Sequence, residues 1–159
     1  MTVTEFPLRE AATGRTIRVP TANLMTTMAV KNAVPTPLGY AVEPRAAADF
    51  AELLERHGIP FETLAAPREV QAERCTLLRI EDDFDGVYSR YEGRQIVRRE
   101  APAAVPLPAG ALWVPLAGED AVRAALLLEP AALYGVYQYP RFRKLVAPGA
   151  PLPVLRVVR

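Results

Sequence analysis

The sequence is poor in the residues that most often carry chemistry. It has one histidine, His57, and one cysteine, Cys75. A zinc hydrolase needs two or three histidines with a carboxylate as ligands, and a further carboxylate as base. One histidine cannot supply that set, so histidine-dependent metal catalysis is excluded for this chain. A lone cysteine cannot close an internal disulfide. Cys75 lies in the apolar run with Leu77, Leu78 and Ile80, which points to a buried, inert thiol. A Cys75–His57 nucleophilic pair is formally available, but a helix-capping role accounts for His57 without it. An excess of one charge is also missing: 19 Lys and Arg stand against 18 Asp and Glu. The basic clusters Arg98-Arg99 and Arg141 to Lys144 read as solvated surface, and no nucleic-acid partner is expected. No apolar run approaches the ~18 residues of a membrane span, and the amino terminus has no apolar segment of signal-peptide length. The chain therefore reads as soluble, with no membrane partner.

What is abundant is proline, 16 in 159 residues. So many breaks disfavour a helical bundle and divide the chain into short elements. Half the residues are apolar, enough for one folded domain with its own core. Residues 1–34 read as an extended lead-in, with an edge strand over Thr16 to Val19, and 35–159 as the core.

The clearest element runs from Pro44 to His57. Pro44 suits a first helical turn, Ala46, Phe50, Leu53, Leu54 and His57 form one stripe, and Gly58 with Ile59-Pro60 ends it. A strand over Leu38 to Val42 precedes it and an extended Pro60 to Leu64 follows, giving a β-α-β unit near residues 38–64. Further strands are expected at Arg74 to Ile80, Gln95 to Arg99, Ala111 to Leu116 and Val154 to Val158, with Pro106 to Gly110 a tight loop. A second helix is expected over Glu119 to Leu128, with Val122, Ala125 and Leu126 as its stripe. The fold class is α+β: a mixed, mostly antiparallel sheet or sandwich-like core with two main helices.

Two segments offer candidate sites. Glu81, Asp83 and Asp85, with Gly86 at the turn and Glu92 in the twelfth place, have the spacing of a calcium loop. Their flanks read as strands, where a calcium loop is held between helices, so a solvated acidic turn is the simpler reading and no cofactor is expected. The segment from Tyr134 to Phe142 gathers Tyr134, Tyr137, Tyr139, Arg141 and Phe142. Aromatics and arginine anchor interfaces, and such rings equally pack on a core or stack on a small ligand. They are the expected interaction residues.

Several phrases in order resemble a known region. Pro37-Leu38-Gly39-Tyr40-Ala41-Val42-Glu43-Pro44 leads into a helix ending Leu53-Leu54-Glu55-Arg56-His57-Gly58-Ile59. Tyr91-Glu92-Gly93 follows, then Leu107-Pro108-Ala109-Gly110-Ala111-Leu112-Trp113-Val114-Pro115-Leu116 and Leu127-Leu128-Glu129-Pro130. This succession, over about residues 35 to 140, is similar to the region that follows the catalytic domain in bacterial zinc carboxypeptidases of the carboxypeptidase A type. The family's His-x-x-Glu pair, its third histidine ligand and its glutamate base have no counterpart here, so no catalytic residue transfers. The resemblance implies a non-catalytic accessory or interaction domain whose partner is a peptidase domain or a second copy. The alternative is a free-standing small-molecule or peptide-binding domain that uses the aromatic segment 134–142.

Overall fold

The computed structural model describes residues 5–20, 33–81, 94–132 and 135–158. The fold is α+β, and every strand pairing in it is antiparallel. The chain divides into two compact units, Met1–Pro35 and Thr36–Arg159.

In the first unit the lead-in is a hairpin. Strand β1 (Glu5–Arg9) pairs with β2 (Thr16–Pro20). Their register sets Phe6 opposite Val19 and Leu8 opposite Ile17. Side chains alternate faces along a strand, so these four apolar residues share one face.

The second unit is built on a six-stranded sheet. Its strands are β3 (Gly39–Val42), β4 (Glu62–Thr63), β5 (Arg68–Glu73), β8 (Ala103–Leu107), β9 (Leu112–Pro115) and β10 (Val154–Val157). The order is β4-β9-β3-β10-β5-β8. Helix α1 (Pro44–Arg56) joins β3 to β4. Both strands run antiparallel to β9 and so parallel to each other, which makes the expected β-α-β unit a split one, with β9 inserted. Pro44 opens α1, as its fixed φ and missing N–H allow. Gly58, at φ +63°, closes it: its N–H bonds Glu55 O and that of Ile59 bonds Leu54 O, the paired bonds of a Schellman end. Ala46, Phe50 and Leu54 are buried as the stripe requires, but His57 is the exposed C-cap and lies outside the core.

Strands β6 (Cys75–Glu81) and β7 (Arg94–Arg99) pair with each other. Since β5 also pairs with β8, residues 68–81 and 94–107 are the two arms of one long ribbon, bent at Arg74 and Glu100. The outer half carries Cys75 and Leu77 into the core. Two boundaries differ from expectation. The strand expected over Arg74 to Ile80 is β6, which starts one residue later at Cys75, with β5 an unexpected strand ahead of the break at Arg74, and Pro106-Leu107 belongs to strand β8. Pro106 is tolerated there because β8 is the sheet's edge, where a missing N–H costs no ladder bond.

Helix α2 (Ala121–Leu128) follows a 3-10 turn over Gly118–Asp120, and a one-turn helix α3 (Pro140–Arg143) follows another over Val136–Gln138. The orientation expected for α2 is reversed. Ala124 and Leu128 are buried, whereas Val122 is 70% and Leu126 55% exposed. With Arg123 as its only charged residue, this helix has no polar side to mark the solvent, and packing alone sets its rotation.

Both faces of the sheet are buried. On one, Tyr40, Val42, Leu112, Val114 and Val154 pack with Phe50, Leu54, Leu128 and Tyr137. On the other, Ala41, Ala72, Val105, Leu107, Leu155 and Val157 form a second cluster, joined by Leu64 and Ala111. Gly39 is required by close approach: a Cβ there would stand 2.4 Å from Val114 O and 2.5 Å from the Trp113 ring. Among the described residues no helix is long and apolar enough to cross a membrane.

Candidate functional site

The most concentrated chemistry in the second unit is a charged cluster on the helix-facing side of the sheet. The register places Val114, Tyr40, Arg156 and Glu73 in one row across β9, β3, β10 and β5. Strand β10 is apolar on both sides of Arg156, and Arg156 itself is only 1% exposed. A guanidinium there must be paired, because an uncompensated buried charge costs several kcal/mol, of order 3–5. Two carboxylates supply the pairing. Arg156 Nε donates to Glu129 Oε2 at 2.9 Å, and Nη1 donates to Glu73 Oε2. The Tyr40 hydroxyl donates to the same Glu129 oxygen at 2.9 Å. Arg99, from β7, closes the group: Nε lies 3.7 Å from Glu73 Oε2 and Nη2 3.8 Å from Glu129 Oε1.

Two guanidiniums therefore face two carboxylates, with a phenol hydrogen-bonded beside them. Burial tends to lower the Arg156 pKa, but Glu129 and Glu73 outweigh it and the net shift is upward. Burial first, and then the Glu129 carboxylate, hold the Tyr40 phenol well above its ordinary range. Arg156 is thus held charged and Tyr40 neutral, the forms they have at neutral pH. The cluster ties together β5, β7, β10 and the end of α2, and its chemistry is that of a clamp. Cys75 lies in the core nearby, where burial pushes its thiol up to about 11, so the thiolate is scarce at neutral pH.

A second charged group ties α1 to its neighbours. Arg74, at the ribbon's bend, donates to Glu43 Oε1 at 2.9 Å. Arg45 donates to Glu43 Oε2 at 2.9 Å and to the Pro151 carbonyl at 3.0 Å.

The expected interaction residues separate into two sets. Tyr137 and Phe142 point inward, 1% and 5% exposed. Phe142 meets Phe50 edge-on at 5.0 Å, and Tyr137 meets the same ring at 6.4 Å. Both are core residues because the segment folds back on α1, and neither ring is offered to a partner. The Tyr137 hydroxyl is buried beside the Val154 backbone without a hydrogen bond of good geometry among the described residues, and burial drives its pKa far upward. Tyr139 and Arg141 face outward. Arg141 donates to Asp49 Oδ1 at 2.9 Å and Glu52 Oε2 at 2.5 Å, and its guanidinium stands 5.8 Å above the Phe142 ring. These bonds pull the Asp49 and Glu52 carboxyls below their usual range. Tyr134 lies outside the described residues, as do Asp83, Asp85 and Glu92 of the acidic loop. Glu81 ends β6. Among the described residues no three His, Cys, Asp or Glu side chains are grouped as metal ligands.

Sequence reasoning did not single out the clamp. Its signal was Arg156 inside the apolar run Val154 to Val158: a charge in a strand buried on both faces demands partners. Comparison of the chain with protein-family models, curated proteins and solved structures finds no match.

Proposed function

We propose that this chain is a non-catalytic interaction module, and that its partner is a peptidase domain of the zinc carboxypeptidase type to which residues 35–140 bear a resemblance. The observation that carries the reading is the one-sided hairpin β1–β2. Its apolar face presents Phe6, 40% exposed, and Leu8, 44% exposed, beside the half-buried Ile17 and Val19. A two-stranded hairpin is marginal in water on its own, so an apolar face of this kind is stabilised by something laid against it. Pro7 and Pro20 blunt the strands against edge-to-edge pairing and leave the face as the contact surface. Among the described residues the buried Arg156 is paired with Glu73 and Glu129, which supports a structural role for that cluster. A small-ligand platform at 134–142 has less support, because Tyr137 and Phe142 are occupied in the core.

The test is binding of the purified chain to a zinc carboxypeptidase catalytic domain, followed by sedimentation. Replacement of Phe6 and Leu8 together by Ser should weaken the complex at least tenfold and leave the melting of the second unit unchanged. Undiminished binding by that double variant overturns the reading, as does the absence of any complex with the wild-type chain. Self-association of the chain alone, lost in the same variant, would instead make a second copy the partner.

A further inference from the structure

We draw no further inference here: the strongest candidate, the outward face of α2 that carries Val122 and Leu126, is an unpartnered apolar ridge, and nothing in the structure shows what covers it.

Discussion

Replacing Arg156 by Met is the sharpest test of the clamp. Methionine keeps much of the side-chain volume but removes the guanidinium. Among the described residues Glu73 and Glu129 would then keep Arg99 as their cation, whose contacts of 3.7 and 3.8 Å are too long for good hydrogen bonds. Breaking a buried pair from one side costs about 3–5 kcal/mol, because the stranded carboxylates stay desolvated. Unfolding entropy near ~2.1 cal/mol/K per residue gives about 0.33 kcal/mol/K over 159 residues. The melting temperature should therefore fall by about 9–15 °C. Trp113, the only tryptophan, sits on the same sheet, so its fluorescence and far-ultraviolet circular dichroism should report one coincident transition. The double variant Arg156→Met with Glu129→Gln separates charge from packing. Removing both partners should cost less than the sum of the two single changes, with a coupling of about 0.5–3 kcal/mol. An Arg156→Met variant within about 0.5 kcal/mol of wild type, or strictly additive single changes, would refute the clamp.

Four further outcomes follow from the same structure. Phe142→Ala should destabilise by about 3–5 kcal/mol in denaturant melts, because it leaves a cavity against Phe50; a stable variant would return this ring to the surface. Tyr137→Phe should be neutral or stabilising by up to about 1 kcal/mol, since the hydroxyl it removes makes no hydrogen bond of good geometry among the described residues, and a destabilisation above about 1 kcal/mol would show that its contact with the Val154 backbone counts. Gly39→Ala should cost about 1–3 kcal/mol by overpacking against Val114 O and Trp113, and should alter the tryptophan emission. Cys75 should react slowly with a thiol reagent at pH 8 in the native state and quickly in denaturant. Its native pKa of about 11 is raised, so its contribution to stability is complete below the unfolded value and is lost as the pH rises through about 11. Fast labelling of the native chain at pH 8 would contradict this burial.

The parts of the fold legible in the sequence are those whose signals are local. Helix α1 announces itself by Pro44, its stripe and Gly58; the structure keeps both end signals and buries Ala46, Phe50 and Leu54 of the stripe, while His57 stays outside the core. Strand β8 was hidden because Pro106 and Pro108 look like loop punctuation, and only its edge position makes Pro106 admissible. The ribbon of β5–β6 and β7–β8 was read in pieces, since its bend at Arg74 follows from long-range pairing and from the Glu43 contact. The buried face of α2 is not legible in the sequence, because apolar residues surround that helix almost completely. The clamp was the least legible feature. Its members stand at positions 40, 73, 99, 129 and 156, and only the tertiary fold brings them together.

The sheet order also constrains how the chain can be made. Strand β10 follows the other five strands of its sheet in sequence, yet it sits at the centre, between β3 and β5. During vectorial synthesis the sheet therefore waits as two halves, β4-β9-β3 and β5-β8, with the inner edges of β3 and β5 open. Until Val154–Val157 emerges, both halves expose unpaired backbone next to apolar surface, the condition under which nascent chains associate wrongly. The final strand acts as a keystone: closing the sheet and seating Arg156 between Glu73 and Glu129 become a single late event. A chain stopped before residue 154 would lose the join between the two halves of the sheet, so premature termination there should yield aggregated or degraded protein in place of a slightly shorter domain.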